Sequence, residues 1–126
     1  MRNYKLVLPE HLNHYGYLFG GYLLHWVDEY SYITANLDFP GNRFVTIGLD
    51  KVVFKKSIRL GSVLKFDIER TRLGDTSAGY SVRVVSDSIE SGEEELVFET
   101  NITFVNVDEA GAKRTIRKVP GRASGP

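Results

Sequence analysis

NHYGYLFGGYLLHWVDEYSYITA, residues 13–35, begins as a loop of polar and aromatic residues and turns at Gly20 and Gly21 into an apolar helix. From about Gly20 to Asn36, the residues Leu23, Leu24, Val27, Tyr30, Ile33 and Leu37 fall at helical spacing. Pro40 and Gly41 end the run. Leu24, Val27, Ser31 and Ala35 share one flank, and Asp28 lies beside them. An ionised carboxylate is costly to remove from water unless it is paired or hydrogen-bonded. Asp28 is therefore either a solvated charge on the back of the helix or an acid retained for chemistry. Glu29, one position round, is placed to reach solvent. His25, one turn earlier, is placed to pair with either acid.

Upstream, YKLVL (Tyr4–Leu8) reads as a short strand stopped by Pro9, followed by a loop over residues 10–19. Downstream, the chain reads as strand. VTIGLDKVVFKK is β-branched and alternates in part. VLKFDIERTR sets Leu64, Phe66 and Ile68 against Lys65, Asp67 and Glu69. In AGYSVRVVSDS, Tyr80, Val82 and Val84 alternate with Ser81 and Arg83, and ELVFETNITFVNVD is a long last strand. LGDTS, ESGEE and DEAG supply the turns. Short turns imply antiparallel pairing. One helix and one sheet bury each other only if the sheet curls round the helix, so an α+β fold is expected: a long central helix wrapped by a five-stranded antiparallel sheet. Residues 1–119 form this single domain, and residues 120–126 are expected to be a flexible tail.

The 126 residues suffice for one domain. Sixteen basic residues balance sixteen acidic ones, which argues against a nucleic-acid partner and favours self-assembly. Cysteine is absent, which excludes disulfides, thiolate nucleophiles and cysteine-held zinc, and fits a reducing cytosol. The opening MRNYKLVLPEH is charged and has no signal-peptide core, and no run reaches membrane-spanning length. A cytoplasmic protein without a membrane partner is expected.

Gly20 and Gly21 sit where helix N–H groups lack intrahelical partners, and without Cβ atoms they admit close approach to the backbone. The positive end of a helix suits an anion or a developing oxyanion. The same dipeptide also serves close packing of loop on helix, and both readings stand. His11 and His14 have metal-like spacing but lack a third ligand, so no metal site is expected. No G-x-S-x-G elbow is present, and LGDTS lacks the lysine of a phosphate-binding loop. Tyr15, Tyr17 and Trp26 serve either a pocket or the core.

PEHLNHYGYLFGGYLLHWVDE resembles the opening of the hotdog-fold acyl-CoA thioesterases at Pro9, Asn13, Gly16, Phe19, Gly20, Gly21 and Asp28. VTIGLDKVVFKKSIRLGS resembles their second segment, with Phe54, Ile58 and Gly61 in place. LGDTS resembles the family's glycine-x-Thr/Ser-Ser turn, and ITFVNVDEAGAKRTI is similar to its last strand and tail. The similarity spans nearly all of the first 117 residues. His11, Ser57 and Ser62 depart from the acid, proline and aspartate common at those places. Asp75 stands where a basic or neutral residue is usual, and an acid there repels a nucleotide phosphate.

The resemblance implies hydrolysis of acyl-CoA to free acid and coenzyme A, without cofactor or metal. It implies a homodimer as the minimum unit, with sheets side by side, assembling further to a tetramer or hexamer. Asn13 and Asp28 would meet across that dimer, with Asp28 as general base or nucleophile and Asn13 orienting water or the carbonyl. The amides of Gly20 and Gly21 would hold the oxyanion. Phe54, Lys55, Lys56, Thr76 and Ser77 are the candidate contacts for coenzyme A, although solvated strand positions account for Lys55, Lys56, Thr76 and Ser77 at least as well. Two rivals stand beside this reading. One is a hotdog protein that binds an acyl thioester without chemistry. The other is a hotdog dehydratase using His14 or His25. The Asn13 to Asp28 spacing favours the thioesterase.

Overall fold

The computed structural model describes residues 1–88 and 90–119, so the expected tail 120–126 lies outside the described residues. The elements follow the expected order: β1 (Arg2–Leu6), a 3-10 turn (Pro9–His11), α1 (Gly20–Asp38), β2 (Phe44–Phe54), β3 (Val63–Leu73), β4 (Ser77–Asp87) and β5 (Glu94–Asn106). β1 begins two residues earlier than YKLVL suggested, because Arg2 through Leu6 pair with Asp67 through Val63. The Arg2 guanidinium also holds the Asp67 carboxylate at 2.7 Å.

All five strands form one antiparallel sheet in the order β1-β3-β4-β5-β2. β3, β4 and β5 are successive hairpins, as their tight turns require. β2 departs from that rule. It pairs with β5 rather than with β3, and so lies at the sheet edge opposite β1. The helix explains how β2 reaches that edge: the chain crosses the sheet face as α1 before entering it. α1 touches β2, β3, β4 and β5, so the sheet wraps it as expected.

Period-two alternation sets the core. Leu64, Phe66 and Ile68 on β3 and Tyr80, Val82 and Val84 on β4 are all buried, facing Leu23, Val27 and Ala35 of α1. Burying each such large apolar side chain contributes ~1.5–3 kcal/mol. On β5 a register shift opposite Val84 and Val85 lets the adjacent Val97 and Phe98 both turn inward. The helix is more one-sided than its sequence suggested. Ile33 and Leu37, counted above in its apolar set, are exposed together with Tyr22, His25, Glu29 and Tyr32. The sheet covers one side of the rod only. Trp26 belongs to the core.

The helix end is pinned from the sheet. Asp38 would oppose the negative end of the helix dipole, but the Tyr80 hydroxyl donates to its Oδ2 at 2.8 Å. Burial first, then this hydrogen bond to Asp38, pushes the Tyr80 phenol well above its ordinary pKa. Beyond it, Asn106 accepts from Arg43 N at 2.7 Å and donates to Asn42 Oδ1 and Thr115 O at 3.1 Å each. That clasp fixes the last described segment against the start of β2.

Candidate active site

The loop before α1 is built by two side chains that replace backbone partners. His11 is buried, its Nδ1 accepts from Leu8 N at 3.0 Å, and its ring stands edge-on to Tyr22 and Trp26. Its carbonyl accepts from Phe19 N at 2.9 Å, which ties the turn to the helix start. His11 is therefore a structural residue. Among the described residues no group of three potential metal ligands comes together. Asn13 Oδ1 accepts from the amides of Tyr15 (2.9 Å) and Tyr17 (3.2 Å). Gly16 sits between them at φ 86°, where a side chain would be strained. The acceptor end of Asn13 is thus occupied by its own loop, and only Nδ2 is left to donate. The expectation that Asn13 offers both functions narrows to one.

Phe19 enters α1 in an extended conformation without a side-chain cap, and among the described residues no hydrogen bond takes up the amides of Gly20 and Gly21. A Cβ at Gly21 would stand 3.0 Å from the exposed Phe19 ring, which would have to give by a few tenths of an ångström to admit it.

Asp28 is half-buried, and its Oδ1 accepts from the Thr46 hydroxyl of β2 at 2.7 Å. Gly21, Leu24, His25, Asp28, Leu49 and Val52 line one recess of about 380 Å³. A second recess of about 720 Å³ has Asn13, Tyr15, Tyr17, Gly20, Phe54, Lys55 and Lys56 among its walls. The first turn of α1 therefore forms part of both, Gly21 facing one and Gly20 the other. Asn13 and Asp28 do not share a recess within one protomer. A third recess, of about 870 Å³, contains neither, and it gathers Glu90, Glu93, Glu94 and Glu95 beside Arg59. Its acid content is wrong for phosphate.

The other candidates divide. Lys55 and Lys56 reach the second recess but are paired with Glu99 (3.5 Å) and Glu95 (3.2 Å). Thr76 and Ser77 line neither recess with Asn13 or Asp28. They occupy the β3–β4 turn, where the Thr76 carbonyl accepts from Asn106 N and Ser77 Oγ from Arg72. Neighbouring Asp75 accepts from the Thr115 hydroxyl at 3.2 Å and, through its carbonyl, from Ile116 N at 2.9 Å. That acid holds the C-terminal segment in place. Thr46 is the residue sequence reasoning missed. Its only signal was a hydroxyl within the apolar first half of β2.

β2 differs from the inner strands. Val45, Ile47, Val52, Val53 and Phe54 are all exposed on this edge strand. Its ladder shifts register between Asp50 and Val53, where Lys51 adopts φ 52°.

Known proteins resemble this chain in sequence and in fold. The family model of the thioesterase superfamily matches residues 15–93. Mouse acyl-coenzyme A thioesterase 11 is 30% identical over 92% of this chain, which spans 19% of that protein. The chain spans 65% of an uncharacterized acyl-CoA thioester hydrolase of Bacillus subtilis, at 29% identity over 90% of its own length. Both shares fall below two thirds. Among solved structures, a hexameric broad-specificity acyl-coenzyme A thioesterase superposes with a TM-score of 0.87 at 28% identity, covering 96% of this chain and 88% of that one. An acyl-CoA hydrolase of Staphylococcus aureus, solved with butyryl coenzyme A and coenzyme A, gives 0.83 at 28% identity, covering 94% and 72%. Alanine variants of that hydrolase at an aspartate, an asparagine and a threonine have also been solved. Its asparagine and aspartate are as far apart in sequence (28 to 43) as Asn13 and Asp28 are here. The wrapped helix is that of the hotdog fold, and the chain belongs to the thioesterase superfamily.

Proposed function

We propose that this chain hydrolyses acyl-CoA thioesters to the free acid and coenzyme A. The observation that carries the reading is Asp28, held through one oxygen by Thr46, in the same recess as Gly21 at the uncapped start of α1. The thioester carbonyl oxygen accepts from the helix-start amides. The free Asp28 oxygen takes a proton from water as the water oxygen bonds to the carbonyl carbon. The C–S bond then breaks, and the sulfur leaves with the proton that Asp28 held. Each oxyanion donor contributes ~3 kcal/mol to such a transition state. Direct attack by Asp28, giving an anhydride that water then opens, uses the same geometry. Single turnover in ¹⁸O-water detects direct attack as label in the Asp28 carboxylate, which arises when water opens the anhydride at the Asp28 carbonyl and never by the general-base route.

Asn13 completes the site from a second copy of the chain. β2 is an unpaired edge of 11 residues carrying exposed Val45, Ile47 and Val53, a surface suited to pairing with the same strand of another protomer. The partner's loop would then bring an Asn13 amide to donate to the carbonyl beside Asp28. Structural neighbours that are hexameric support a hexamer built on that dimer. Ile47→Lys should convert the assembly to monomers in sedimentation and abolish turnover together with it. Lys55 and Lys56 serve the phosphates by exchanging exposed carboxylate partners, pairs worth at most ~1 kcal/mol each. Thr76 and Ser77 enter the nucleotide end only from a neighbouring protomer.

Thiol release across a panel of acyl-CoAs tests the reading. Free thiol from at least one ester supports it. Tight ester binding with no thiol would point to the binding-only protein, and hydration of an enoyl-CoA to the dehydratase.

A further inference from the structure

The recess beside Asp28 has apolar walls in Leu24, Leu49 and Val52, and apart from Asp28 its one polar side chain is His25. The β2 bulge shapes these walls. In a regular strand residues two apart share a face, which would set Lys51 beside Leu49. The register shift and the left-handed Lys51 bring Val52 to that face instead. A cation is kept out and a branched apolar side chain takes its place.

His25 lies four residues after Gly21 and three before Asp28, so all three stand on one helix face. An acyl group whose carbonyl oxygen meets the Gly21 amide, and whose carbonyl carbon faces Asp28, occupies the recess that His25 also lines, between those two residues on the helix. Among the described residues no hydrogen bond, ion pair or ring contact occupies the imidazole. Imidazole both donates and accepts, and a hydroxyl answers either nitrogen. The volume, about 380 Å³, lies near the lower end of ligand sites. Building on the thioesterase reading, we propose that the recess takes short acyl chains with a hydroxyl on the second or third carbon, and that His25 selects them over the plain chain.

Thiol release from 3-hydroxybutyryl-CoA and butyryl-CoA tests this in the wild type, His25→Leu and His25→Gln. The wild type should favour the hydroxy ester in kcat/KM by about 3- to 10-fold, the value of one net hydrogen bond. His25→Leu should erase or reverse that preference, while His25→Gln, which keeps a donor and an acceptor, should retain most of it. Equal efficiency in the wild type, or an unchanged preference in His25→Leu, overturns the proposal. If no ester releases thiol, it is the proposed function that fails. The calorimetric Kd values of the two esters for wild type and His25→Leu then decide on His25 by the same ratio.

Discussion

Asp28 and Asp38 lie on the same helix, and each accepts a hydrogen bond from a hydroxyl of the sheet, Thr46 at 2.7 Å and Tyr80 at 2.8 Å. The two bonds are nearly equal in length. Their surroundings are opposite. Tyr80 is fully buried on β4, an inner strand, and Asp38 closes the helix over it. Thr46 is exposed on β2, an edge strand, and Asp28 faces a recess that also holds an uncapped helix start. A carboxylate with a hydroxyl partner is therefore no sign of catalysis by itself. What distinguishes Asp28 is an oxygen left over and a place for substrate beside it.

The largest effect expected from this contrast is in Asp28→Ala. Thiol release should fall by ~10²- to 10⁴-fold, the range for loss of a general base. Thermal unfolding should shift little, because the side chain is half-exposed and Thr46 can turn to water. Full turnover in Asp28→Ala would remove this acid from the mechanism. Tyr80→Phe should do the converse. It leaves Asp38 without its donor, at a cost of ~1–3 kcal/mol read from denaturant unfolding, with kcat unchanged.

Titration sharpens the same contrast. The Tyr80 phenol is raised in the folded protein by burial and by Asp38, so it stays protonated where an unfolded tyrosine would ionise. The stability this contributes is fully present below the unfolded value of ~10 and is lost as pH rises from there toward the folded pKa. The free energy of unfolding of the wild type should therefore fall above pH ~10, and Tyr80→Phe should lack that component of the slope. A wild type and variant with parallel profiles would mean that the Tyr80 hydroxyl is ionised as readily folded as unfolded.

The sequence showed the inner half of the molecule better than its edge, for a physical reason. Leu64, Phe66, Ile68, Tyr80, Val82 and Val84 each face the core at period two, so their pattern records burial directly. β2 is apolar on residues that the protomer leaves exposed, so its pattern records a strand but not its neighbour. Its pairing with β5 joins residues that are distant in the chain. The helical spacing of Asp28 was legible, as was its place beside the buried flank of Val27, Ser31 and Ala35. The state of Asn13 was not: whether its carbonyl is free depends on how Tyr15 and Tyr17 fold back onto it. Thr76 and Ser77 were legible as a turn, but where a turn points is set by the sheet that carries it. The left-handed Lys51 had no local signal, since glycine is the residue that usually announces that conformation.

Thr46→Val yields the smallest effect and the finest discrimination. The variant keeps the β-branched shape of β2 and removes only the donor to Asp28 Oδ1. If the hydroxyl aims the carboxylate, kcat should drop about 3- to 10-fold, as for one net hydrogen bond, with KM and unfolding nearly unchanged and Thr46→Ser restoring most of the rate. A fall as deep as that of Asp28→Ala would place the Thr46 hydroxyl in the chemistry itself. No fall would mean that the helix alone orients Asp28. In that case its bond to Thr46 does for the site no more than the Tyr80 bond to Asp38 does, and the two ends of the helix differ only in the space beside them.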